Sequence, residues 1–227
     1  GIDDKLASIK KVFEVAQEFD TCFKSFQIIC RPSNIGCARN IINGINEILE
    51  RYESIIVLED DLELGKYFLD YINFSIEKYQ KHPLVFHISG FNEFNDNLKP
   101  ANAYFSRGMN MWGWATWRDK WKHFQKNTDL YIDSFSKSDI KKFNFDGSWD
   151  VFSQIKENKS GVLNTWAVFW AASIFKQGGL CLNPSYPLSV NKGNDGSGER
   201  GGIVSHHQDL FQGSILIFPD NVIEDLH

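Results

Sequence analysis

The sequence predicts an α/β protein, a layered sheet flanked by helices and followed by a second, Trp-rich lobe. Three observations carry this expectation. Segments of helical spacing alternate with short apolar runs as far as Ser89, the pattern of a sheet covered by helices. The run Ser54-Ile-Ile-Val-Leu58 is too apolar and β-branched for an edge strand and reads as a buried parallel one. All seven Trp lie between Trp112 and Trp170, so the texture changes in the second half.

Taken in order, Leu6, Ile9, Val12, Phe13 and Ala16 fall on one face of a helix over Asp3–Phe19. Phe26–Cys30 reads as a strand. Pro32, Ser33, Asn34 and Gly36 make a turn, and Ala38–Tyr52 is a helix with Ile41, Ile42, Ile45, Ile48 and Leu49 on one side. The Ser54–Leu58 strand is followed by a helix over Lys66–Lys81 and a strand over Leu84–Ser89. Trp114, Trp117 and Trp121 are spaced to share one helical face, and a later helix spans Asn164–Lys176. Gly193–Gly202 is a Gly-rich loop. A boundary near Met109 divides a nucleotide-type part, 1–109, from a second lobe, 110–227. A doubly wound sheet opens with a strand, whereas this chain opens with a helix, which predicts a further strand outside it.

Composition narrows the function. The 227 residues carry 24 Lys+Arg and 29 Asp+Glu, a net charge of −5, which gives no electrostatic case for nucleic acid or an anionic membrane. No apolar run approaches the ~18 residues of a membrane span, and no basic segment precedes an apolar one at the N-terminus. Cys22, Cys30, Cys37 and Cys181 show no C-x-x-C spacing and are expected to act as small hydrophobes in a reducing cytoplasm.

The sharpest chemical signal is Ile56-Val-Leu-Glu59-Asp60-Asp61-Leu-Glu63. Three consecutive carboxylates follow an apolar strand, where open α/β sheets place their ligand crevice. Adjacent carboxylates repel unless a cation or hydrogen-bond donors compensate. Mg²⁺ or Mn²⁺ suits such oxygen ligands and leaves positions for substrate phosphates. A solvated acidic turn is the plainer alternative.

Asn34-Ile-Gly-Cys-Ala-Arg39-Asn40 and Val57-Leu-Glu-Asp-Asp61-Leu resemble GT-A glycosyltransferases, nearest to N-acetylglucosaminyltransferase I and its bacterial relatives. The resemblance runs on through His87-Ile-Ser-Gly-Phe-Asn92, Gly113-Trp-Ala-Thr-Trp117, Asn164-Thr-Trp166 and Asn194-Asp-Gly-Ser-Gly198. It implies a GT-A mixed sheet and a metal-dependent, inverting transfer from a nucleotide-sugar, a uridine diphosphate sugar by the same resemblance. The acceptor would be a glycan or lipid-linked sugar, in the setting of a bacterial surface glycan. It assigns Asp61 to the metal, Asp60 to the ribose side and Glu59 to the donor sugar. Arg39 suits a bidentate phosphate contact and Asn40 a hydrogen bond to the nucleotide, on a helix start whose amides favour an anion. Arg200 is a further candidate for the diphosphate.

Trp112 and Trp114, beside Gly113, offer flat faces to a sugar ring, and with Asn92 they are the expected acceptor contacts. The family's catalytic Asp, directly after a Trp, corresponds here to Ala167, which accepts no proton. Asp150, Asp146 and Asp195 are the available bases, with Asp150 first; each also suits a cap or turn. His206 and His207 read as surface histidines or a late metal ligand, and His87, inside an apolar strand, as a hydrogen-bonded buried histidine. Two further readings stay open: a nucleotidyltransferase, which wants a phosphate loop not seen here, and a non-catalytic carbohydrate-binding protein.

Overall fold

The structure is a computed structural model that describes residues 2–92, 101–193, 209–215 and 217–225. It divides into two compact units, Gly1–Gly36 and Cys37–His227.

The first unit holds helix α1 (Ile2–Gln17) and a 3₁₀ turn at Asp20–Cys22. The expected strand at Phe26–Cys30 does not form. A strand needs a hydrogen-bonded neighbour, and within this unit only helix and turns accompany it. At the unit's end Asn34 Oδ1 accepts from Gly36 N at 2.8 Å, an Asx turn that Gly36 completes at φ +79°.

The second unit is α/β, with a mixed five-stranded sheet flanked by helices. Its strands are β1 (Ser54–Val57), β3 (Val85–Ser89), β4 (Ala103–Ser106), β5 (Trp114–Trp117) and β6 (Leu180–Pro184), in the order β1-β5-β3-β6-β4. Only the β3/β6 pair is parallel. A two-stranded ribbon, β2 (Leu62–Leu64) with β7 (Ser189–Asn191), lies beyond the end of β1. The sheet draws strands from both sides of Met109.

Two expectations about strands are corrected. Ser54–Val57 is an antiparallel edge strand, half-buried rather than central. Its apolar character comes from packing on both faces: Ile56 meets one core, and Ile55 and Val57 the other. Trp114–Trp117 is strand, not helix, and only Arg118–Trp121 is helical (α4). Trp114 and Trp117 therefore point to opposite faces.

Helix α3 (Phe68–Tyr79) covers one face with Phe68, Tyr71, Ile72 and Tyr79 against Ile88, Phe105, Trp117 and Leu182. Helices α2 (Cys37–Leu49) and α8 (Ala167–Lys176) cover the other, burying Ile45, Leu49, Trp170 and Ile174 against Phe86, Trp114 and Cys181. Helices α5 (Thr128–Ser134), α6 (Lys137–Phe143) and α7 (Ser153–Ser160) build a third cluster on Phe169 of α8.

The register of β3 against β6 shifts between Val85 and His87. Without it, Phe86 and His87 would face opposite sides. With the irregularity both turn to the tryptophan side, as a β-bulge does. His87 is fully buried and stacks on Trp114 at 5.0 Å, and Trp114 stacks on Trp166 at 5.2 Å. Trp170 Nε1 donates to His87 Nδ1 at 3.2 Å, which places the ring proton on Nε2, 2.9 Å from the Asn110 carbonyl that accepts it. The expected buried, hydrogen-bonded histidine is what the fold contains.

Burial lowers the His87 pKa to about 3, against a smaller opposing effect of the Asn110 carbonyl. The unfolded histidine takes up a proton below pH 6.5 that the folded one refuses. Stability present above that pH is therefore lost as pH falls, by about 2 kcal/mol between pH 7 and pH 5. Urea unfolding at the two pH values should show this loss, and His87→Gln should reduce it by about that amount.

Candidate functional site

The turn Leu58–Asp61 joins the edge of the main sheet to the ribbon. Leu62 N donates to the Glu59 carbonyl at 3.4 Å, and Leu62 then pairs with Asn191 across the ribbon. This sets Asp61 against β7. Lys192 N donates to the Asp61 carbonyl at 2.8 Å, and Asn191 Nδ2 donates to Asp61 Oδ2 at 2.9 Å. A Cβ on Gly193 would fall 2.6 Å from Asp61 Oδ2, so the close approach requires glycine there.

The other carboxylate oxygen, Asp61 Oδ1, is buried and has no hydrogen-bond partner among the described residues. A buried carboxylate oxygen left unpaired is costly, more so than the Tyr71, Asn102, Trp114 and Trp117 atoms that are also buried without a described partner, so a cation or donor could be accommodated there. Glu59 is half-buried and Asp60 exposed. Burial first, and the negative Asp61 and Asp60 next, raise the Glu59 carboxyl above its ordinary range. Among the described residues no three His, Cys, Asp or Glu side chains converge as a ready-made metal cage. Asp61 would thus be one protein ligand of a hard cation, with phosphate oxygens and water as the others, the habit of Mg²⁺ and Mn²⁺.

Several expected site residues lie at this same end of the sheet. Helix α2 leads into β1 and packs on it, so its first turn, with exposed Arg39 and Asn40, lies beside the strand's carboxylate end. Gly113, at φ +72°, runs so close to the turn that a side chain there would touch Leu58 at 3.4 Å and Phe68 at 2.9 Å. Trp112 is half-buried, packs edge-on against Phe91 at 4.4 Å, and its carbonyl accepts from Ser189 Oγ of β7. Asn92 is buried; its Nδ2 donates to the Ser185 carbonyl at 3.2 Å and its Oδ1 accepts from Tyr104 at 3.1 Å. That arrangement makes Asn92 a brace between the ends of β3 and β6.

Trp114 is fully buried within the aromatic core, so Trp112 is the ring of the pair with an exposed face. Asp150 is not at the start of a helix but three residues before α7. Its Oδ1 accepts from Ser153 N at 3.2 Å and from Asn144 Nδ2 at 3.0 Å, which ties the turn before α7 to the end of α6. Asp146 pairs with Arg107 at 3.0 Å. Asp195, Arg200, His206 and His207 lie outside the described residues. Cys22, Cys30 and Cys37 are exposed and only Cys181 is buried, which corrects the expectation of small core hydrophobes; none of the four is in a disulfide.

Sequence reasoning passed over Asn191. Its role depends on the β2/β7 pairing, which joins residues about 130 positions apart and leaves no local signal. No protein-family model matches the chain, and none of the curated proteins is significantly similar to it.

The Asn191 contact is testable. Asn191→Ala leaves both Asp61 oxygens unpaired and should cost about 1–3 kcal/mol in chemical unfolding. Asn191→Asp sets two carboxylates face to face. It should cost more in EDTA and regain part of that stability with millimolar Mn²⁺.

Proposed function

We propose that this chain is a metal-dependent glycosyltransferase of GT-A type that moves a sugar from a nucleotide-sugar, uridine diphosphate in our reading, to a hydroxyl of a glycan or lipid-linked acceptor with inversion. The observation that carries the reading is the buried Asp61 Oδ1, unpartnered among the described residues, within three consecutive carboxylates at the end of β1.

Asp61 would hold the cation, which when bound neutralises charge on the departing diphosphate. Asn191 holds Oδ2 and the Lys192 amide holds the Asp61 main-chain carbonyl, so Oδ1 would be the oxygen that meets the ligand. Glu59, with its raised carboxyl pKa, keeps a proton more readily than a free carboxylate and suits hydrogen bonding to a donor-sugar hydroxyl. Asp60, exposed beside it, would take the ribose hydroxyls. Arg39 and Asn40 bring a guanidinium and an amide to the same end, for phosphate and base. Trp112 supplies an apolar face to a sugar ring next to these groups. Asp150 is engaged by Ser153 and Asn144, which leaves Asp195, two residues beyond Gly193, as the candidate to take the acceptor proton.

Isothermal titration of UDP and UDP-sugars tests this directly. Binding should appear with Mn²⁺ and weaken at least tenfold in EDTA and in Asp61→Ala. Nucleotide binding of equal strength in EDTA, or none by the wild type with any nucleotide tried, would refute the metal-held donor site.

A further inference from the structure

One aromatic feature stands apart from the carboxylate turn. Trp149 is 56% exposed, while Trp114, Trp117, Trp121, Trp166 and Trp170 are all buried. Its ring lies 6.5 Å from Phe145 at an interplanar angle of 33°, so the two form a small, open apolar face.

The backbone beneath this face is unusual. Phe145 (φ 51°) and Asp146 (φ 57°) are both left-handed, followed by Gly147 at φ 96°. A left-handed Phe is uncommon and costs free energy, so surrounding contacts must hold it. They are present. Arg107 donates to Asp146 Oδ2 at 3.0 Å and to the Lys142 carbonyl at 2.7 Å, and its Nε bonds Glu224 of the C-terminal segment. Asn144 donates to Asp150 and accepts from Phe152 N at 2.8 Å, and Trp149 N donates to the Asn144 carbonyl at 3.2 Å. The loop is thus braced from both ends around a ring it leaves uncovered.

We infer that Trp149 and Phe145 form a saccharide-binding platform, a subsite for the acceptor chain. Two rings are too little apolar surface for a protein interface, and a polar rim of Asp146, Ser148 and Asp150 surrounds them within five residues. A pyranose has the matching chemistry: an apolar face of C–H groups to stack, and hydroxyls around its edge to donate to carboxylates. Asp146 is neutralised by its ion pair with Arg107, and the charge the rim presents is that of Asp150, which favours neutral or amino sugars over acidic ones. A Cβ on Gly108 would lie 3.7 Å from the Phe145 ring, and Gly108 begins the loop that reaches Trp112 four residues on. Four residues span at most ~14 Å, which a short oligosaccharide can bridge.

As an acceptor subsite, the platform rests on the transferase reading; as a carbohydrate site, it stands alone. The full chain would be applied to an array of immobilised neutral, amino and acidic oligosaccharides, alongside Trp149→Ala and Trp149→Phe. Neutral or amino-sugar chains should be retained by the wild type and by Trp149→Phe, and lost at least tenfold in Trp149→Ala. The UDP–Mn²⁺ titration should be the same for all three. No oligosaccharide retained by the wild type, or retention by Trp149→Ala within twofold, overturns the platform whatever the nucleotide result. Trp149-dependent retention without any nucleotide binding keeps the platform and removes the transferase reading.

Discussion

The arrangement rests on one buried group, the neutral His87. Its two nitrogens join helix α8, through Trp170, to the loop carrying Asn110, and its face carries the Trp114–Trp166 stack. From there the order passes outward. Asn110 Oδ1 accepts from Trp112 N at 3.0 Å, Asn110 N donates to Ser89 Oγ at 3.3 Å, and the Trp112 carbonyl is held by Ser189 of β7. Two residues beyond Ser189 stands Asn191, against Asp61. A core tautomer and the carboxylate turn are thus linked by consecutive hydrogen bonds and short stretches of chain. The β3 irregularity makes this possible, since only a bulge turns Phe86 and His87 to the same side.

Around the carboxylates the chain departs from what stability alone would favour. Three adjacent acids raise one another's free energy, burial first and these charges next raise the Glu59 carboxyl above its ordinary range, and among the described residues one oxygen of Asp61 is buried without a partner. The rest of the site is tightly satisfied: Gly193 and Gly113 admit backbone where no side chain fits, and Asn92 uses both ends of its amide. Among the described residues Tyr71, Asn102, Trp114 and Trp117 also bury a polar atom without a partner, but Asp61 Oδ1 is the one carboxylate oxygen of that set, and the one whose burial costs most.

The aromatic residues divide by role in the same way. Most are structural: three clusters, one on each face of the sheet and one under α5–α7, hold more than half of the large rings. Trp112 and Trp149 are the tryptophans that keep a face to solvent, each on a loop pinned by side-chain hydrogen bonds to its backbone. The C-terminal segment contributes to that pinning. Phe218 packs on Tyr71 and Phe74, Tyr79 donates to the Pro219 carbonyl, and Glu224 meets Arg107 at the base of the Trp149 loop.

The sequence by itself determined the α/β class, helices α1, α2, α3 and α8, strand β3, the acidic turn and the buried state of His87. Each depends on local periodicity or on an apolar run too strong to be anything else, and such signals are carried within a few residues of chain. Strand order was a tertiary decision. Ser54–Val57 looks central because both its faces are covered, yet coverage of the faces says nothing about whether both edges are paired. Trp114–Trp117 looked helical because a Trp spacing of three and four fits a helix; pairing with both β1 and β3 made it a strand, and facing cores on both sides buried both rings. What each Asp side chain meets was also decided only in three dimensions, since Asp146 pairs with Arg107 and Asp61 with Asn191, partners far away in the chain.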